Sequence, residues 1–306
     1  MSNFQKGVSS REAGGTLLLD GNNLLVRGVK AMEGRSDMSA DGVNTGPLVL
    51  FINQVSRYVK EVQPDHMVVC WDGGRAPWRM EMFPSYKHNR GEHPTSELEQ
   101  GNFGLAKEFL SLCNIHHVCL PNVEADDLIA YYWLNGHEKC TIVSGDKDFL
   151  QLVDGTTRQY QPGVDQVWTA AVIEEKLGCR ADDLPAVKAL TGDSSDCIPG
   201  IPGFGHKTAI KALAEHNWSL DKLLQTDDPK WRKKIDGREK QARINYSLMD
   251  LRVIGASLAG ADIDGVPSFE PTTTTGILWP DLMDFLRRYQ LASIESRMRD
   301  ERFWRS

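Results

Sequence analysis

Thr16–Asp20 reads TLLLD, a short apolar run closed by a carboxylate. The form recurs at Met67–Asp72 (MVVCWD) and at Cys140–Asp146 (CTIVSGD), and His116–Leu120 (HHVCL) is a fourth run of the kind. Short apolar runs without alternation are what strands buried on both faces look like. Between them the spacing turns helical. Leu50, Phe51, Val55, Tyr58, Val59 and Val62 share one side after Pro47. Leu98, Phe103, Leu105, Phe109 and Leu112 mark a second helix, and Leu128, Ile129, Tyr132 and Trp133 a third that begins near Glu124. Strands alternating with helices predict an α/β fold with a mostly parallel central sheet flanked by helices. Such sheets gather functional groups at the carboxyl ends of their strands. Asp20, Asp72 and Asp146 each fall at that end, so three strands are expected to deliver acids to one edge.

Six further acids extend the set: Glu124, Asp126 and Asp127, then Asp148, then Asp193 and Asp196. Acids held together repel, and burying them unpaired is costly. A cation is therefore expected among them, and Mg²⁺ or Mn²⁺ suits oxygen ligands. Two such ions would make a phosphodiesterase site. Blander roles compete at each position. A lone Asp after a strand serves as a turn former or helix cap. Acids in a first helical turn complement the helix dipole, although capping uses one acid and VEADD offers three. Glu124 and Asp127 lie one turn apart and can face the same ion, whereas Asp126 points about 100° away from Asp127. Asp146 and Asp148 straddle Lys147 where a strand end turns into a helix, an arrangement that aims both at one region.

With 306 residues, 41% apolar and 25% charged, the chain can hold one large domain or two smaller ones. Residues 1–15 read as a loose lead-in, without the apolar stretch of a secretory signal. Residues 16–180 read as the α/β core. Texture changes near residue 180, and 181–306 is dominated by helices and tight turns. No apolar run is long enough to span a membrane. The six cysteines form no CxxC pair, which suits a reduced cytoplasmic protein with small buried thiols rather than a zinc site. The eight histidines show no metal-ligand spacing. A net charge of −7 argues superficially against a polyanionic partner. Basic residues nevertheless gather at Arg75, Arg79, Lys87 and Arg90, and again in KWRKKIDGREKQAR (Lys230–Arg243). Local patches matter more to a polyanion than the sum does.

The most specific motif is TGDSSDCIPGIPGFGHKTAIKAL (Thr191–Leu213). It reads as a Gly/Pro hairpin carrying Gly200, Gly203 and Gly205, followed by a helix N-terminus. Backbone N–H groups there can hold phosphate oxygens without reading bases. Lys207 and Lys211 add positive charge. In FPSYKHNR (Phe83–Arg90) a cation near the acids could offset a phosphoryl charge, and Tyr86 could stack on a base. An ordinary helix–helix turn and a solvated loop are the plain alternatives.

VEADD, GDKDFLQLV, YKHNR and GDSSDCIPGIPGFGHKTA, in this order, resemble the 5′-nuclease superfamily. That superfamily includes the 5′→3′ exonuclease domain of bacterial DNA polymerase I and bacteriophage flap endonucleases. The likeness runs from about Leu17 to about Leu213. It implies a PIN-like core, a flexible arch at about residues 83–105, and a helix-hairpin-helix (H3TH) module. It implies two divalent ions, one near Asp20, Asp72, Glu124 and Asp126, the second near Asp127, Asp146, Asp148, Asp193 and Asp196. Lys87 and Arg90 would face the scissile phosphate. DNA would meet Arg27, Tyr86, Gly203, Gly205, Lys207, Thr208 and Lys211. Ile198 and Ile201 would border a monovalent cation, usually K⁺. The implied enzyme is a structure-specific 5′ nuclease, a monomer in a bacterial or phage-infected cell. It would act on 5′ flaps, nicks and ends of DNA, in replication and repair. Removal of RNA primers from RNA–DNA hybrids is an alternative, and a non-catalytic DNA-structure binder is another. An aspartyl phosphatase is disfavoured, because the first motif reads DGNN rather than DxDGT.

Overall fold

Every strand of the core is short, and the apolar runs Thr16–Asp20, Met67–Trp71 and Cys140–Val143 are buried along their whole length. In the computed structural model, which describes residues 14–34, 39–88, 97–136, 139–260 and 276–299, six strands form the central sheet. They are β1 (Thr16–Asp20), β2 (His66–Trp71), β3 (His117–Cys119), β4 (Cys140–Val143), β5 (Thr157–Gln161) and β6 (Gln166–Trp168). Their order is β3-β2-β1-β4-β5-β6. All neighbours are parallel except β6, which closes the edge antiparallel to β5. The four apolar runs became β1 to β4. The outer pair was not anticipated, because TRQYQ (Thr157–Gln161) is polar. Its glutamines are buried all the same. Their side-chain amides brace the turn after β4: Gln159 donates to the carbonyls of Ser144 and Asp146, and Gln161 donates to that of Gly145.

Both faces are covered, and the period of two along a strand divides the core between them. Leu17, Leu19, Met67, Val69 and Trp71 face α1 (Gly21–Met32), α2 (Gly46–Val62) and α3 (Glu97–Leu112). Helix Trp279–Arg288 closes this layer with Leu282, Phe285 and Leu286. Leu18, Val68, Cys70 and Ile142 face α4 (Ala125–Leu134), which packs on helix Leu251–Gly260 through Leu128, Ile129, Leu251 and Ile254. Trp71 is fully buried against Phe51 and Phe103.

A second core lies beyond β6. Helix α5 (Leu184–Thr191) leads into a two-stranded hairpin, Gly192–Asp193 paired with Ile198–Pro199, and then into α6 (His206–Glu215). Leu190, Ile201, Phe204, Ala209, Leu213, Leu224 and Trp231 fill this core. Buried Asn245 ties the two arms of the hairpin region together, donating to the carbonyls of Ala189 (2.9 Å) and Pro199 (2.8 Å). The cysteines of the described residues are free thiols. Among the described residues no helix is long and apolar enough to cross a membrane. The lead-in up to residue 13, the arch segment 89–96 with Arg90, and the tail aromatics Phe303 and Trp304 lie outside the described residues.

Candidate active site

Each strand end grips the next element through its acid. Asp20 closes β1 and caps α1. Its Oδ1 accepts the Asn23 N–H at 2.9 Å, and its Oδ2 accepts the Ser144 hydroxyl at 2.7 Å. Asp72 follows β2, and its Oδ1 accepts the N–H of Ala125, the first residue of α4, at 2.8 Å. The turn after β4 carries Asp146, which accepts the Asp148 N–H at 2.9 Å. A 3₁₀ helix, Asp148–Leu152, then begins. Asp193 comes from the hairpin, where Ser195 donates both its N–H (2.9 Å) and its hydroxyl (2.5 Å) to Oδ1. Seven of the nine expected acids line one cleft of about 350 Å³: Asp20, Asp72, Asp126, Asp146, Asp148, Asp193 and Asp196. Arg27 and Lys87 share its wall. Among the described residues no histidine lines it.

The cleft is short of positive charge. Burial, with Asp72 and Asp146 nearby, pushes the Asp20 carboxyl up to about 7 despite its two hydrogen bonds. Burial and Asp146 likewise hold Asp126 well above the usual carboxylate range. Asp148 is raised to about 6 by burial and Asp146, against the pull of Lys188. Asp193 goes the other way. Burial would raise it, but Lys188 and Ser195 outweigh that and hold it at about 2. A carboxylate-rich lining in which Asp20, Asp126 and Asp148 resist ionisation fits a hard divalent cation. Among the described residues no group of three His, Cys, Asp or Glu side chains closes on one point as a ready cage.

Two acids expected with these lie apart. Asp127 is 1% exposed and takes a two-pronged grip from Arg79, whose Nη1 and Nη2 lie 2.8 and 2.5 Å from its oxygens. Glu124 is also buried. Its Oε2 accepts from Lys87 Nζ (2.5 Å) and from the Tyr86 hydroxyl (3.0 Å), and Arg79 stands 3.6 Å away. Arg79 and Lys87 hold Glu124 below the usual range although burial opposes them. Both oxygens of Asp127 and Oε2 of Glu124 thus already face cations, and neither residue lines the cleft. Arg79, counted from sequence with a surface basic patch, is 2% exposed and also donates to the Leu248 carbonyl. Tyr86 is 4% exposed, packed with Ile198, Leu248 and Met249. Its ring is covered, so it cannot take a base. Lys87 sits at φ +50° and donates its own N–H to the Asp196 carbonyl at 3.0 Å.

The hairpin presents Gly203, at φ +84°, and Gly205 at the surface, and Gly205 caps α6. Lys207 and Lys211 are exposed on α6, and Thr208 is half-buried. Ile198 and Ile201 are buried, and the Ile201 carbonyl accepts the Phe204 N–H at 3.0 Å. Arg27 comes from α1, with its buried Nε lacking a hydrogen-bond partner among the described residues. Sequence reading missed Lys188, which bridges Asp148 and Asp193. Its one local signal is a lysine in the last turn of the helix before GDSSD. It also missed Ser144, whose hydroxyl donates to Asp20 and accepts the Asp146 N–H at 3.0 Å.

Comparison with known proteins accounts for both halves of the chain. The model of the 5′–3′ exonuclease N-terminal, resolvase-like domain matches residues 15–178, and that of the 5′–3′ exonuclease C-terminal SAM fold matches residues 179–268. A 5′–3′ exonuclease of Bacillus subtilis is 32% identical over 291 residues, 91% of this chain and 94% of its own. DNA polymerase I of Lactococcus lactis is 35% identical over 223 residues, 69% of this chain. This chain spans about a quarter of the length of the Lactococcus polymerases, 25% in each. The fold is shared with the bacteriophage T5 D15 flap endonuclease, solved as a pseudo-enzyme-product complex with DNA and metal ions. The TM-score is 0.67 at 20% identity, over 90% of this chain and 99% of that one. The catalytic core of Rad2, solved with a DNA substrate, gives 0.53 at 14% identity over 94% and 88%. With a PIN-like parallel sheet, a helical second unit and matches to both family models, the chain belongs to the 5′–3′ exonuclease family.

Proposed function

We propose that the chain is a metal-dependent, structure-specific 5′ nuclease that hydrolyses phosphodiester bonds near the 5′ ends of branched or nicked DNA. The observation that carries this reading is an acid-lined cleft to which three strand ends and the hairpin loop contribute. Asp20, Asp72, Asp126, Asp146, Asp148, Asp193 and Asp196 are the residues that would hold two divalent ions, Mg²⁺ or Mn²⁺. Bound there, such ions activate a water and stabilise the leaving oxygen. Glu124 has a different part. It holds the Lys87 ammonium at the cleft wall, where that charge offsets the phosphoryl oxygens. Asp127 and Arg79 hold Glu124 in turn. Arg90, three residues beyond Lys87, would supply a second cation. Gly203, Gly205, Lys207, Thr208, Lys211 and Arg27 would grip phosphates without reading sequence. A K⁺ ion near the carbonyls of Ile198 and Ile201 would add to that grip.

The test is cleavage of a 5′-labelled flap, a nicked duplex and an RNA–DNA hybrid, each with Mg²⁺ and with EDTA. The expected result is Mg²⁺-dependent cutting of the flap near its branch, abolished by Asp146→Asn while duplex binding persists. Cutting that survives EDTA, or full turnover by Asp146→Asn, would overturn the proposal. Preferential cutting of the hybrid would reassign the substrate to RNA primers.

A further inference from the structure

Lys188 belongs to the last turn of α5, and its ammonium donates to Asp148 Oδ1 and, at 2.9 Å, to Asp193 Oδ2. Those carboxylates come from different parts of the chain. Asp148 opens the 3₁₀ helix after β4, and Asp193 lies in the hairpin. The lysine side chain is 24% exposed, so its charge is largely withdrawn from bulk water. Asp193 cannot turn away, because Ser195 holds its other oxygen. We propose that Lys188 is a tethered counter-ion, standing where a divalent cation would join Asp148 to Asp193 and leaving when that cation binds. The inference rests on the metal-binding reading above.

The physical reason is exclusion. A Mg²⁺ ion needs its oxygens at about 2.0–2.1 Å. An ion placed so close to Asp148 and Asp193 would sit in contact with the ammonium that both now share, and like charges at that range repel strongly. Lysine and divalent ion therefore compete for one pair of carboxylates. Without the ion, the ammonium holds the hairpin loop to the sheet edge and neutralises one of two charges. With the ion, both charges are neutralised and the lysine is released. The consequence is a weakened second ion site whose occupancy is favoured by any added negative charge, such as a substrate phosphate.

Free Mn²⁺, measured by electron paramagnetic resonance during titration of the DNA-free protein, reports both sites directly. Lys188→Met is expected to tighten the weaker Mn²⁺ by about tenfold or more, the direction set by removing a charge at contact range. Lys188→Arg, which keeps the charge, is expected to match the unsubstituted protein. An unchanged or weakened isotherm for Lys188→Met overturns the proposal. A second measurement needs no variant. Methylation of Lys188 by formaldehyde and borane, read by mass spectrometry against exposed Lys222, should rise when Mg²⁺ is added. Equal or reduced labelling overturns the proposal as well. Mn²⁺ bound normally, lost in Asp146→Asn but indifferent to Lys188→Met, sinks only the role of the lysine. No Mn²⁺ bound by the unsubstituted protein sinks the metal reading and this inference together.

Discussion

At the scale of single residues, the same side chain type serves opposite ends. Asp126 and Asp127 are neighbours in one helical turn, yet Asp126 lines the cleft and Asp127 is sealed under it with Arg79. Removing one partner of a buried pair leaves the other charge uncompensated, at a cost of about 3–5 kcal/mol. Arg79→Met is accordingly expected to lower the unfolding free energy by that margin, read as a lower urea midpoint at unchanged m. Asp146→Asn should leave the midpoint unchanged or raise it, since it relieves repulsion in the cleft. Urea unfolding of both variants in EDTA checks the contrast, and equal midpoints would count against it. The acids after apolar runs were legible in sequence because strand and carboxylate are adjacent. The fate of Asp127 was not, because its partner lies 48 positions upstream. Tyr86 misled for a similar reason. Its polar sequence neighbours gave no sign of Ile198, Leu248 and Met249 folding over it.

At the scale of elements, two junctions carry most of the site. The first is the turn from β1 into α1, packed on β2. A Cβ on Gly21 would lie 2.7 Å from the Trp71 ring, closer than atoms in contact can come. Gly21 follows Asp20 and Trp71 precedes Asp72, so this contact sets one acid against the other. Gly21→Ala is expected to destabilise by about 1–3 kcal/mol, as overpacking does, and to weaken Mn²⁺ binding; a variant with normal melting and normal Mn²⁺ affinity would show that the junction tolerates movement. The second junction is the hairpin into α6. Lys207→Ala should weaken duplex binding across sequences and reduce the salt slope by about one. Fluorescence anisotropy over a salt series measures it, and an unaltered slope would remove Lys207 from the phosphate contacts. Elements with a strong period or a glycine-rich turn could be read in advance. Strand β5 could not, because its buried glutamines satisfy polar groups of the neighbouring turn rather than an apolar face.

At the scale of the whole molecule, the cleft sets the pH dependence of stability. An unfolded Asp carboxyl ionises near 3.8, but folding raises Asp20 to about 7 and Asp148 to about 6. Between those values the folded chain keeps protons that the unfolded chain has released. Stability therefore falls as pH rises through this window, by up to about 1.4 kcal/mol per pH unit for each fully perturbed group. Asp193 acts in the reverse sense. Held at about 2, it contributes stability above pH 3.8 that is lost as pH falls toward 2, and Glu124, also depressed, loses its contribution on the acid side. The metal-free protein should thus be most stable in mildly acidic solution and lose several degrees of Tm between pH 5.5 and pH 8. Mn²⁺ should raise Tm far more at pH 8 than at pH 5.5, because protons and ions compete for the same oxygens. Asp20→Asn should flatten the metal-free curve between pH 5.5 and pH 8 by removing the group that titrates at about 7. Thermal melts in EDTA and in Mn²⁺ across this range decide the matter. A metal-free Tm that climbs steadily to pH 8 would mean that burial and the neighbouring acids do not hold Asp20 and Asp148 protonated, and the electrostatic case for ions in the cleft would fail with it.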